Sequence, residues 1–269
     1  MAEMVAFGPH RMVLSLELLR VLTAGDTVGL AELLRREEQT NGQVAITVQG
    51  AVAPGAVPPP PPPLGTSCLL GVTSNGNTAL HLAASRGHAE LAALICDSAP
   101  SLVATRNKCL DTPLHCAAKA GSRDVAASIL ATMMRTTGAD AEMALRARNQ
   151  TGATALYEAV RRGHTRVVDL LMKEAPELAS LATDDGGFSP LYLAASIDSL
   201  EMVQSLLRPS QDGTPSPASF SGPEGRTALH VAAYGIKGTY NVCLCSREQT
   251  KIFTCIWICF QTSSASWFS

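Results

Sequence analysis

Apolar residues return at the same places along most of this chain. Stripes at Leu91, Leu94 and Ile95, at Val125, Ile129 and Leu130, at Val167, Val168, Leu170 and Leu171, and at Met202, Val203, Leu206 and Leu207 have spacings of three and four. That spacing puts each set on one face of an amphipathic helix. Each stripe follows a shorter segment rich in Ala and Leu: TALHLAA (78–84), TPLHCAA (112–118), TALYEAV (154–160) and SPLYLAA (189–195), with a fifth, TALHVAA, starting at 227. The pattern predicts pairs of helices, a short first one turning into a second that has one oily face.

Aligned on the Leu of each short segment, the register points are Leu80, Leu114, Leu156, Leu191 and Leu229, spaced by 34, 42, 35 and 38 residues. Thr78, Thr112, Thr154, Ser189 and Thr227 stand where a hydroxyl accepts from an otherwise orphan N–H of the first turn. Pro113 and Pro190 follow at the first helical position, where their fixed φ fits and no N–H is missed. Gly87, Gly121 and Gly163 supply the left-handed residue of the turn between helices, and Asp198 takes that place in the fourth unit. One pair cannot hide its own apolar face. Burial of a large aliphatic side chain is worth roughly 1.5–3 kcal/mol only when the next pair stacks on it, so the unit has to be repeated.

A period near 33 with a T-P-L-H-x-A core resembles the ankyrin repeat. The resemblance implies an all-α solenoid of helix-turn-helix pairs, about four to five repeats plus a divergent N-terminal one. It also implies that RNKCLD (106–111), RNQTGA (148–153), TDDGGF (183–188) and GPEGR (222–226) form hairpin fingers standing off the stack. TTGADAE (136–142) and SQDGTPSPASF (210–220) have loop-like composition and lengthen two connections. LSLELLRVLTAGDTVGLAELLRREE (14–38) carries two short stripes around Gly25 and reads as the divergent repeat. The six consecutive Pro within 51–65 exclude helix or ladder and predict an extended polyproline spacer inside the first finger, with docking to SH3-like or WW-like domains as the other use of such a run. The expected organisation is a tail (1–11), a divergent repeat (12–40), a Pro-rich insertion (41–73), repeats over 74–237 (74–107, 108–149, 150–184, 185–221 and a partial 222–237), and an atypical, disordered tail (238–269).

LLGVTSNGNTALHLAASRGHAEL, SAPSLV and EAPELA are together similar to plant ankyrin proteins of the accelerated-cell-death type. Members of that family join the ankyrin array to a C-terminal membrane domain, the PGG domain, and act in defence and cell-death signalling at the plasma membrane, with the array expected on the cytosolic side. The resemblance covers about residues 12–237. After Ala233 the helical period collapses, and four of the eight Cys and both Trp fall in the last 27 residues. The membrane domain is missing from the pattern, which points to a truncated product whose tail is translated intron, with a frayed and aggregation-prone end.

Composition then narrows the chemistry. Aromatic residues make up only 4% of the chain, so the core must be Ala, Leu, Val and Ile. A formal charge of −2 gives no bulk attraction to nucleic acid or an acidic membrane. Glu17 and Arg20 break the only apolar run near the start, so no signal peptide is expected. IFTCIWICF (252–260) is about half the length that crosses a bilayer, so no membrane span is expected in this chain. A cytoplasmic location follows, in which the Cys are free thiols.

His81, His115 and His230 occupy one position in separate units and read as hydrogen-bonding imidazoles near the caps rather than zinc ligands, with Tyr157 and Tyr192 keeping the bond in their units. Cys243, Cys245, Cys255 and Cys259 lack zinc-site spacing, and Cys96, Cys109 and Cys116 read as a helix end, a finger and a small core residue. No enzyme, cofactor, metal or nucleic-acid site is expected.

What remains is a surface. The resemblance implies protein partners on the concave face, the full-length relative among them. The ends of the first helices place Ser85, Arg86, Lys119, Arg161, Arg162 and Ser196 there; the fingers add Arg106, Lys108 and Arg148, then Asp184 and Asp185. That basic strip turning acidic suits a partner with an acidic patch. Two roles follow: an interaction module, or a regulatory form that competes or co-assembles with a full-length membrane-bound relative.

Overall fold

The computed structural model of the protein describes residues 13–44, 67–136, 139–184, 186–209, 213–228 and 231. Residues 1–12, the polyproline run, Asp185, Leu229, His230 and the tail 238–269 lie outside the described residues. The described chain is helical, with two isolated β-bridges, Val13 to Val72 and Ser221 to Thr227, and no strand among the described residues. It divides into two compact units, 1–147 and 148–269.

The first unit begins with α1 (Leu16–Ala24) and α2 (Thr27–Val44). Ser15 caps α1 by accepting the Leu18 N–H at 3.1 Å, and Gly25, at φ +75°, ends it. Then come α3 (Ala79–Arg86) with α4 (Ala89–Ser98), and α5 (Pro113–Ala120) with α6 (Arg123–Arg135). First helices lie on first helices, α1 on α3 and α3 on α5, while second helices lie on second helices, α2 on α4 and α4 on α6. Ala83, Ala84, Ala117 and Ala118 are all fully buried. Small side chains at these positions let the first helices pack side by side, and the third segment places Val160, also fully buried, where the others carry Ala. The stripes Leu91 and Ile95, and Val125 and Ile129, are fully buried as well.

The second unit repeats the arrangement with α8 (Ala155–Arg162) and α9 (Thr165–Glu174), then α10 (Pro190–Ser196) and α11 (Leu200–Leu207). Again α8 packs on α10 and α9 on α11, closing over Leu156, Val167, Leu171, Leu191, Val203 and Leu206.

Three features depart from the sequence pattern. Residues 139–145 form a helix, α7 (Ala139–Leu145), inside the segment whose Gly and Thr predict a loop; it packs against α6 and the turn 100–104, burying Ala144. Tertiary contact overrides a composition that is neutral between loop and helix. SAPSLV and EAPELA each run into a 3₁₀ turn, Pro100–Ala104 and Pro176–Ser180, which buries Leu102 and Val103 in one and Leu178 and Ala179 in the other. Pro at the first turn position and the i, i+3 pattern suit such a turn, and its apolar residues extend the core beyond the second helices. Residues 67–70 form a further 3₁₀ turn, held by the Glu37 carboxylate, which accepts from Ser67 Oγ at 3.1 Å and the Cys68 N–H at 3.2 Å.

Candidate functional site

The recurring Thr and His do connected work. Thr78 accepts the His81 N–H and the His81 imidazole faces back, a reciprocal cap repeated by Thr112 and His115. Nδ1 of His81 accepts the Thr78 N–H at 3.3 Å and lies 2.8 Å from Thr78 Oγ1. Its Nε2 lies 2.9 Å from the Asp111 carbonyl, which can only accept. The neutral tautomer with the proton on Nε2 satisfies all three contacts, so the ring ties one helix pair to the finger of the next. Thr154 and Ser189 cap α8 and α10 through the Tyr157 and Tyr192 N–H groups. The tyrosines do not reproduce the histidine link: neither phenol oxygen is hydrogen-bonded among the described residues, and the Tyr192 ring instead meets Phe188 edge-on at 5.6 Å. A phenol projects too far to copy a bond that the shorter imidazole makes across the repeat.

Three of the fingers share one local geometry, while the one at 183–188 closes over an extra residue, Thr183 N–H donating to Phe188 O at 2.9 Å. Asn107 N–H donates to Asp111 O at 3.0 Å and Leu110 N–H to Asn107 O at 3.0 Å; Asn149 with Ala153 and Gly152, and Thr73 with Asn77 and Gly76, do the same. The fourth residue of each loop is left-handed: Gly76 at φ +75°, Leu110 at +59° and Gly152 at +68°. Asn107 Oδ1 accepts from the Cys109 and Asp111 N–H groups, both at 2.9 Å, and Asn149 Oδ1 accepts from Thr151 and Ala153 in the same way. These Asn side chains brace the turn from within. In the first unit adjacent fingers are joined by Asn107 Nδ2 to Asn77 Oδ1 at 2.8 Å and by the Lys108 N–H to Asn75 O at 3.0 Å. In the second, Arg148 bridges fingers, reaching Gly152 O at 3.4 Å and Asp184 Oδ1 at 2.6 Å.

The residues singled out from the sequence fall into two groups. Three bases are taken by carboxylates of their own unit. Lys119 Nζ pairs with Asp111 at 2.7 Å, Arg148 with Asp184, and Arg161 with Glu158 at 2.6 Å. Glu158 is fully buried and also accepts from Asn149 Nδ2 at 2.9 Å, so Arg161 neutralises a core carboxylate. Arg86, Arg106, Lys108 and Arg162 are exposed, with Ser85 and Ser196 exposed beside their helix ends. Among the described residues Arg86 reaches only the Thr23 carbonyl, at 3.4 Å. Arg106, Lys108 and Arg162 form no ion pair among the described residues. Among the bases singled out from the sequence, Arg86, Arg106, Lys108 and Arg162 therefore keep their charge unpaired by any carboxylate of the described residues.

Sequence reasoning passed over Glu158 and Leu110. Glu158 stands where the other units carry Leu82, Cys116 and Leu193, and Leu110 stands where two fingers carry Gly. Laying RNKCLD on RNQTGA exposes the second substitution.

Burial pushes the Cys68 and Cys116 thiols up to about 12 and raises that of Cys96, with Glu37 adding to the rise at Cys68 and Asp111 at Cys116. Cys109 is exposed on its finger. Among the described residues no group of His, Cys, Asp and Glu is placed to hold a metal ion, and no helix is long and apolar enough to cross a membrane.

Comparison with known proteins places this geometry. The family model described as ankyrin repeats (3 copies) matches residues 64–141 and 137–216. An ankyrin repeat-containing protein of Arabidopsis thaliana is 33% identical over 97 residues, a stretch that covers 36% of this chain and only 18% of that protein. The ankyrin repeat domain of Bcl-3, a member of the IkappaB protein family, superposes with a TM-score of 0.64 at 22% identity, covering 87% of each chain. EF0377, an ankyrin repeat protein, gives 0.58 at 22% identity, over 84% of this chain and 94% of its own. At such identity the two solved structures share the fold alone.

Proposed function

We propose, for a chain that belongs to the ankyrin repeat family, a role as a protein-binding array whose docking chemistry lies on its finger tips and first-helix ends. The fold is typically a non-catalytic interaction module. The observation that carries the reading is the division of labour among its polar groups. Thr78, His81, Thr112, His115, Asn107, Asn149 and Glu158 are buried and committed to caps, turns and inter-repeat bonds. Arg86, Arg106, Lys108 and Arg162 stay at the surface, and Ser85, Ser196 and Asp184 are exposed as well. Lys119, Arg148 and Arg161 contribute to that surface by shaping it rather than by free charge.

In this reading residues 12–40 and 74–237 form the array and its partner meets the concave side with an acidic patch. The setting is plant defence and cell-death signalling on the cytosolic side of the plasma membrane. The likeness of SAPSLV and EAPELA to the accelerated-cell-death type, and the match to an Arabidopsis protein, support that setting. That relative is several times longer than the stretch it shares with this chain, which favours a second reading: co-assembly with, or competition against, a longer ankyrin protein.

Affinity purification of the tagged chain tests both, with Arg86→Glu/Arg162→Glu as the comparison. The expected result is a stoichiometric protein partner whose recovery falls in the double variant and at raised salt. A longer ankyrin protein as that partner selects the second reading. Recovery of no stoichiometric partner, or recovery unchanged by charge reversal, contradicts the proposal.

A further inference from the structure

We propose that the finger tip 106–110 is a docking element, with Leu110 as its apolar anchor and Arg106 and Lys108 as its charged frame, and that it takes an acidic segment of a partner protein bearing a large aliphatic or aromatic side chain. The inference rests on the protein-binding reading above and gives it a partner chemistry.

Leu110 is out of place by two independent measures. Its φ of +59° lies in the left-handed region, which a branched L side chain avoids. The same loop position in two other fingers is Gly76 and Gly152, with the same closing hydrogen bonds. The turn itself therefore has no use for a leucine. Nor is the strain offset by full burial, since Leu110 remains 42% exposed. An outlier of this kind, strained and apolar at a loop tip, points to a use outside the fold.

The surroundings fix the chemistry. Arg106, Lys108 and Cys109 are exposed next to Leu110. The one carboxylate of this finger, Asp111, is buried and taken by Lys119 at 2.7 Å. Arg106 and Lys108 make no ion pair among the described residues, so an apolar knob sits beside uncompensated positive charge. Carboxylates flanking an apolar side chain complement that arrangement; a basic or purely polar segment does not. The tip is also held still, by Asn107 Oδ1 inside the loop and by the Lys108 N–H and Asn107 amide reaching the neighbouring finger. Docking on it therefore costs little ordering.

A random peptide library displayed on phage and selected on the whole chain tests this, with the affinities of individual peptides then measured by fluorescence anisotropy. Selected peptides should be enriched in Asp and Glu beside Leu, Ile, Phe or Trp. Leu110→Gly should weaken them about tenfold while the melting temperature does not fall. Leu110→Asn, which also tolerates the left-handed conformation, should give the same loss and so exclude backbone freedom as its cause. Arg106→Glu/Lys108→Glu should abolish binding, and Arg166→Glu, at an exposed charge on α9, should leave it unchanged. Peptides that bind but respond to Arg162→Glu and not to either Leu110 variant overturn the inference while leaving the protein-binding reading intact. A selection that returns no acidic, apolar binder also overturns it. The broader reading fails separately, when affinity purification recovers no stoichiometric partner.

Discussion

His81 Nε2 donates to the backbone carbonyl of Asp111 at 2.9 Å, thirty residues away in sequence, while its Nδ1 is held by Thr78. One ring thus caps its own helix and fixes the finger of the following repeat. His81→Ala leaves a buried carbonyl without its donor and should cost about 2–3 kcal/mol in urea unfolding. Nitrogen-15 NMR should show His81 as the Nε2–H tautomer; a proton on Nδ1 would contradict the assignment.

Leu110→Gly should stabilise the fold. Relief of a left-handed leucine is worth roughly 1–2 kcal/mol, partly offset by the larger entropy of an unfolded glycine, for a net gain of about 0.5–1 kcal/mol. The reverse exchange, Gly76→Leu, should destabilise, because a Cβ there meets the Lys108 nitrogen at 3.1 Å and φ is +75°. Thermal melts of the two variants moving in the same direction would defeat the argument.

Adjacent arginines should behave oppositely. Arg161 pairs with a carboxylate that is fully buried, whereas Arg162 is exposed and forms no ion pair among the described residues. Arg161→Ala leaves Glu158 poorly compensated and should cost about 1–2 kcal/mol, less than a fully enclosed pair because the Arg161 side chain is itself 42% exposed. Arg162→Ala should stay within about 0.5 kcal/mol of wild type. Equal effects by chemical denaturation would show that Glu158 does not depend on Arg161.

Thiol chemistry should follow burial. Iodoacetamide at neutral pH should label Cys109 before Cys68, Cys96 or Cys116 when followed by peptide mass spectrometry. Between the ordinary value of 9.0 and about 12, the folded chain keeps protons on Cys68 and Cys116 that the unfolded chain has released. Their contribution is therefore complete below about pH 9 and is lost as pH rises towards 12. Replacing both with Ala should flatten the alkaline fall in stability, and an unchanged slope would assign it to other groups.

The amino-acid sequence by itself determined the repeating helix pairs. Thr and Ser caps and a 3.6-residue apolar stripe recur in all four units between 78 and 207, joined by Pro at the first helical position in two and Gly at the turn in three, and all are local signals with short-range causes. Even the departure at Asp198 was legible, since it adopts φ +58° where the other units use Gly. Tertiary structure alone decided three things. It made 139–145 a helix, because the buried Ala144 gains a surface to pack on that composition does not reveal. It put Glu158 fully inside the protein, held by Asn149 from the preceding finger and Arg161 one helical turn on. It divided the basic residues into those spent on internal carboxylates and those left at the surface. Charge along a sequence counts every Lys and Arg alike, whereas a distance of 2.6–2.7 Å to a carboxylate removes Lys119, Arg148 and Arg161 from the free set. Pairing depends on which groups folding brings together, and that is a property of the packed chain rather than of its pattern.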